Sequence, residues 1–163
     1  MGSVPHRIAA PKRRAQSPGL FTSKEGYSLR PPAGLRKNRA EMPLDVLFGQ
    51  PDAASFNVSA LPRNTRRNRS LDEIRTANIQ FMSRAMDNFK LRGQGRMTVD
   101  GLPAVTLTST FTMGTPPVAL RTLNVFVIRG STLYTFSGVC PLSQTTRYAP
   151  LFQKTLASVR WTK

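Results

Sequence analysis

The 163-residue chain is 39% hydrophobic and 8% aromatic, enough for one domain with a buried core and outside the composition of disordered chains. Its 24 Lys and Arg against 8 Asp and Glu leave a formal net charge of +16, which calls for an anionic partner: nucleic acid, an acidic protein surface or an anionic membrane face. A single cysteine, Cys140, excludes an intrachain disulfide and multi-cysteine metal sites, and a single histidine, His6, excludes a histidine cluster.

Residues 1–24, "MGSVPHRIAAPKRRAQSPGLFTSK", carry five Lys and Arg side chains, His6, three prolines and no acid. They read as an extended basic tail, with 25–163 as the folded domain. No apolar run approaches 18 residues, so neither a membrane span nor a signal-peptide core is expected. Delivery to another compartment would then require a leader already removed, unless the Arg-rich start is itself the remnant of a targeting region.

Short strands are expected in "GYSLRPPAGL", "PLDVLFGQP" and "SFNVSALP", each closed by Gly or Pro. The basic loop "RNTRRNR" follows. Ser70 and Glu73 form a capping-box pair, and Leu71, Ile74, Met82, Ala85, Met86 and Phe89 recur at helical spacing. This predicts a helix over about 71–91, stopped by Gly93 and Gly95. Two alternating runs then flank Gly101. In the second, Val105, Leu107, Phe111 and Met113 share one face, and Thr106, Thr108, Thr110 and Thr112 form an exposed opposite face.

"LRTLNVFVIRGSTLYTFSG" reads as a hairpin turning at Gly130-Ser131 in a type II′ turn. Tyr148, Leu151, Phe152, Thr155, Leu156 and Val159 mark a second amphipathic helix, in which Pro150 fits only the first turn. Strands, helix, strands, helix predict an α/β chain of the α+β kind: a mainly antiparallel sheet flanked by helices.

No catalytic apparatus can be assembled from these residue types. Cys140, in "SGVCP", lies between the last strand and the last helix, and no histidine is near it to act as a base. It reads as a small buried thiol rather than a nucleophile. Asp72 and Glu73 are explained by the helix N-terminus rather than by paired-carboxylate chemistry. "GQGRMTVDG" matches no phosphate loop. No cofactor or metal site is expected.

The basic clusters carry the functional expectation. Residues 1–40 hold 9 basic residues and 1 acid, half of the net charge, and four arginines crowd the 63–69 loop. The candidate partner-binding residues are Arg7, Lys12, Arg13, Arg14, Lys24, Arg36, Lys37 and Arg39, with Arg63, Arg66, Arg67 and Arg69 in the loop. Docking on an acidic protein surface is favoured over solubility alone. Nucleic acid is the weaker partner, because Phe21 and Tyr27 come only at the end of the tail and give no stacking platform.

"SLDEIRTANIQFM", "MTVDGLPAVTLTSTF" and "GSTLYTFSGVCPLSQTTRYAPLFQKTLASVRW" together resemble the PsbP-type domain, with weaker echoes in "GYSLRPPAGL" and "FNVSA". The resemblance covers residues 25–161, strongest in the last block. Leu35 stands where the family usually has tryptophan, and Val159 where it has phenylalanine. The resemblance implies an α-β-α sandwich without catalysis and a protein that binds other proteins.

Members of the family include extrinsic and assembly proteins of photosystems in the thylakoid lumen. Others are bacterial periplasmic domains of DcrB type, chaperones of secretion effectors and a nuclear-import factor. The Cys-Pro pair is closest to the photosynthetic branch. The implied role is a docking subunit or assembly factor on a photosystem membrane complex, in a chloroplast thylakoid. The alternatives are a bacterial chaperone or adaptor, cytoplasmic or periplasmic, and a peripheral RNA-associated protein of an organellar ribosome.

Overall fold

A computed structural model describes residues 19–50, 54–63 and 69–163. Two antiparallel sheets and two helices make up the fold. Strands β1 (Phe21–Thr22), β2 (Tyr27–Leu29), β3 (Arg36–Asn38), β4 (Leu44–Gly49) and β5 (Ser55–Pro62) lead to helix α1 (Leu71–Ala85). Strands β6 (Asp87–Val99), β7 (Leu102–Met113), β8 (Val118–Arg129) and β9 (Thr132–Pro141) follow, then α2 (Thr145–Ala157) and β10 (Arg160–Trp161). The large sheet has the order β3-β4-β5-β9-β8-β7-β6, and a small one the order β1-β2-β10. One layer is α1; the other is α2 with the small sheet. The mainly antiparallel α+β architecture agrees with the sequence reading.

Each face of the large sheet has its own core. On one, Val105, Leu107, Phe111 and Phe126 pack beneath Met82, with Ile74, Ile79, Met86 and Phe89 around them. On the other, Val58, Val125, Val127, Tyr134 and Phe136 meet Tyr27, Tyr148, Phe152 and Leu156. Every fully buried side chain of this size removes enough apolar surface to contribute about 1.5–3 kcal/mol. Leu35 and Val159, the two departures from the family pattern, are both buried in the second core.

Where sequence and structure differ, the causes are local. Phe21 and Thr22, assigned to the tail, pair with Leu29 and Ser28, so the fold begins by β1. The helix ends at Ala85, not near 91: Met86 is extended, and Asn88, the second residue of β6, takes a left-handed conformation (φ 54°) at a register shift between Asp87 and Lys90. Met86 and Phe89 still enter the core that α1 covers. A helical stripe and a strand start that bury the same face look alike in sequence. Gly93 and Gly95 therefore lie inside β6, beside a register shift between Leu91 and Gly93.

The threonine row of β7 is not a full solvent face either, because α2, packed on β9, covers this side of the sheet in part. Thr106, Thr108 and Thr112 are half-buried and Thr110 is buried, whereas Met113, expected inward, is exposed. Pro150 lies in the sixth position of α2, past the first turn. It is tolerated because Pro150 and Thr146 are both exposed, leaving the Thr146 carbonyl to water. Val159 falls beyond the helix, in the turn into β10.

Two tight turns follow their sequence signals. Arg129 pairs with Thr132 around Gly130, whose φ of 58° suits the first position of a type II′ turn. Asp100 and Gly101 both have positive φ, the type I′ arrangement, and join β6 to β7.

Candidate binding surfaces

Of the twelve basic candidates, Arg7, Lys12, Arg13, Arg14, Arg66 and Arg67 lie outside the described residues. Lys24, Arg36, Lys37, Arg39 and Arg69 are exposed. Arg36 and Lys37 stand on the edge strand β3, with the Lys37 ammonium 5.2 Å from the centre of the Phe21 ring. That is cation–π distance, and it orients the side chain without neutralising it. Arg63 is different. Its Nη2 donates to the Arg69 carbonyl (3.0 Å), tying the two ends of its loop, and its amide donates to the Ser131 carbonyl (2.6 Å) of the β8–β9 turn.

Ion pairing is scarce. Among the described residues, two cations lie within 4.0 Å of a carboxylate, Arg75 at 3.2 Å and Arg96 at 2.6 Å, and both share Asp72. The expected capping serine is in place: Ser70 Oγ accepts from the Glu73 amide at 3.2 Å and also donates to Glu73 Oε1 at 3.2 Å. Asp72 is thereby free to act as the anchor of the two arginines.

Other arginines serve the fold through carbonyls, which spacing in a sequence cannot reveal. Arg129 Nη1 donates to the Gly26 carbonyl and Nη2 to the Thr162 carbonyl, both at 2.7 Å, with its guanidinium 5.4 Å from the Trp161 ring. It bolts the β8–β9 hairpin to the small sheet. Tyr134 adds a hydrogen bond from its hydroxyl to the Glu25 carbonyl, and Trp161 Nε1 donates to the Val99 carbonyl at 2.9 Å. Across this corner Asp45 Oδ2 accepts from Ser23 Oγ (2.6 Å) and Tyr27 Oη (2.5 Å). Burial and the neighbouring Asp45 carboxylate push the Tyr27 phenol far up, so it stays a donor.

Cys140, expected between the last strand and the last helix, lies inside β9, paired with Arg121, because the ladder with β8 runs on to Pro141; it is 2% exposed. Burial pushes its thiol up, with a hydrogen bond to Thr145 and the Arg121 charge pulling the other way. A thiol held in that state is a poor nucleophile. The described residues contain no group of three or more His, Cys, Asp or Glu side chains positioned to hold a metal ion, and no helix long and apolar enough to cross a membrane.

The α2 side of the sheet carries cations that the sequence reading did not single out. Lys90, Thr110, Arg121 and Cys140 are directly opposed across β6, β7, β8 and β9, and so form one transverse row. Arg92, beside the register shift in β6, joins the row by donating from Nε to Thr110 Oγ1 at 3.0 Å. The available signal was strand alternation in "VALRTLNVFVIR", which places Arg121 on the same face as Val125 and Val127.

No family profile matches the chain, and no curated protein does. Solved structures do match it. Cyanobacterial PsbP from Synechocystis superposes with a TM-score of 0.69 and 16% identity, covering 94% of this chain and 98% of that one. The yeast Ran-binding protein Mog1p gives 0.59 at 10% identity, over 83% and 90% of the two chains. PA94 from Pseudomonas aeruginosa gives 0.58 at 16% identity, over 85% and 93%. The chain therefore has the PsbP-type α-β-α fold. At such identities the likeness concerns architecture, and function has to be argued from surfaces.

Proposed function

We propose that this protein is a non-catalytic docking subunit or assembly factor, attached through its basic segments to an acidic surface of a larger protein complex. A photosynthetic membrane complex in a thylakoid is the first choice. The observation that carries the reading is the unneutralised charge. Eighteen of the 24 Lys and Arg are described, the other six being Arg7, Lys12, Arg13, Arg14, Arg66 and Arg67, and Asp72 alone holds ion pairs with them. Exposed cations without internal partners steer an anionic surface and add little to stability. The buried thiol, its ionisation pushed up by burial, supports a role without chemistry. Fold neighbours that include cyanobacterial PsbP and a yeast Ran-binding protein are consistent with protein recognition on this scaffold.

In this role the domain presents a shaped surface, while the tail and the 63–69 loop add electrostatic anchoring. The test is binding of the full chain to solubilised photosystem complexes over a salt series. Replacing Lys12, Arg13 and Arg14 with alanine should weaken binding and flatten its salt dependence, since the Debye length shrinks from about 10 Å at 0.1 M to about 3 Å at 1 M. Unchanged binding across the series would overturn the electrostatic mechanism. Nuclease-sensitive co-sedimentation with ribosomes would point to the RNA-associated alternative.

A further inference from the structure

We infer that the recess between α2 and the β6–β7 edge is a docking site for an acidic polypeptide segment of a partner protein. The inference goes beyond the tail-mediated docking proposed above, because none of its residues belongs to the tail or to the 63–69 loop.

Three sides of the recess are built. Helix α2 packs chiefly on β9 and leaves Gly93 of β6 exposed on this face. The far end is closed by Trp161, whose indole N–H is bound to the Val99 carbonyl and whose amide is bound to Asp100. The floor is made of small groups: Gly93, Gly95, Thr106 and Thr108, of which Gly93 is exposed and the other three half-buried. A Cβ on Gly93 would meet no atom within 4 Å, so the space above it is open. From β8 to β6 the shelf spans two strand spacings, about 10 Å, which is the width of one helix or one extended segment.

At the inner edge a cleft of about 60 Å³ opens between α2 and the sheet, lined by Thr108, Arg121, Gly138, Cys140, Phe152 and Gln153. A water needs roughly 10–15 Å³, so the cleft has room for a carboxylate and its methylene rather than for a large ligand. Arg121, Thr108 and Gln153 are the lining residues whose side chains carry donors, and no acidic side chain lines the cleft. Lys90 and Arg92 extend the positive field to the outer edge, both exposed. No described carboxylate lies within 4.0 Å of any of these three cations.

A glutamate or aspartate of the partner would place its carboxylate on Arg121, while flanking acids meet Lys90 and Arg92. Charge-assisted bonds of this kind are the strong ones in recognition. A polypeptide fits better than nucleic acid. The floor carries no aromatic side chain on which a base could stack, and about 10 Å of width suits one chain rather than a duplex.

Nitrogen-15 NMR of the full chain, titrated with a capped oligoglutamate peptide and separately with a poly(U) oligonucleotide of equal charge, tests the site. The amides of Gly93, Thr108, Arg121, Gly138 and Gln153 should shift along one saturable curve with the peptide. Arg121→Gln should weaken that curve by about tenfold, the loss expected for one charge-assisted bond, with unchanged melting. Should that variant fold poorly, the double variant Lys90→Gln, Arg92→Gln reads the same site from its outer edge and should weaken it several-fold. Shifts confined to the tail, to Lys24–Arg39 or to the 63–69 loop would overturn the inference, as would an unchanged curve in the variants. Tighter binding of the oligonucleotide at the same amides would overturn the choice of a polypeptide. Loss of the tail's salt-dependent docking with these shifts intact would strike the proposed function alone.

Discussion

Arg121 and Arg129 stand on the same strand, point to the same face of the sheet and are both half-buried, yet they do opposite things. Eight residues of strand, about 27 Å, separate them. Arg129 is saturated by the Gly26 and Thr162 carbonyls and lies over Trp161. Arg121 faces a cleft without a carboxylate. One end of the sheet spends its arginine on holding layers together, and the other leaves its arginine available to something outside. A count of +16 cannot distinguish the two uses; the partners of each guanidinium can.

That contrast is best broken by truncating each arginine in turn. Arg129→Ala should lose two charge-assisted hydrogen bonds and leave two carbonyls under-satisfied at a layer junction, at a cost of about 3–4 kcal/mol. Arg121→Ala should stay within about 0.5 kcal/mol of the parent, as surface changes away from structural bonds do. Urea denaturation followed by circular dichroism measures both. Comparable losses for the two variants would show that Arg121 is also a structural bolt, and the contrast would fail.

A second test lies midway along the neighbouring strand. Gly138 faces α2 so closely that a Cβ would sit 2.5 Å from the Phe152 ring. Gly138→Ala should therefore cost about 2–3 kcal/mol through overpacking. Because Gly138 and Phe152 both line the cleft, the same substitution should shift amides around Arg121, whereas a change at the Arg129 end should leave them in place. A variant as stable as the parent would show that α2 can lift off the sheet, leaving the cleft without a fixed wall.

The legible part of this molecule was its repeating part. Alternation in "SFNVSALP" and "LRTLNVFVIRGSTLYTFSG" gave β5, β8 and β9, with the turn at Gly130-Ser131, and the Ser70–Glu73 pair located the start of α1. Its end was hidden, because Met86 and Phe89 continue the helical stripe while entering the core from extended chain. The basic candidates were chosen as runs along the chain, a rule that finds tails and loops. It passes over Lys90 and Arg92 on β6, which meet the distant Arg121 only when β6, β7 and β8 are set side by side. It also enlists Arg63, whose guanidinium is bound to the Arg69 carbonyl. Positive charge is read from composition; the use of that charge is a property of register.

The two ends of the sheet can be compared once more through their titrating groups. Tyr27 at the aromatic corner and Cys140 at the cleft both have their ionisation pushed up in the folded protein, chiefly by burial. A neutral acid with a raised folded pKa stabilises the fold in full below its unfolded pKa, and the contribution is lost as pH climbs. Above about pH 8.5 the unfolded chain releases the Cys140 proton first, so stability should fall by about 1.4 kcal/mol per pH unit until the folded thiol also ionises. Tyr27 adds a second decline above about pH 10. Cys140→Ala should remove the first segment of the curve and keep the second, and Tyr27→Phe the reverse. The smallest effect belongs to Arg121, whose charge pulls the Cys140 thiol down against burial. In Arg121→Gln the first decline should therefore run to slightly higher pH before it levels. A levelling point that stays where it was would mean that the guanidinium faces away from the cleft, and the proposed carboxylate site would lose its central donor.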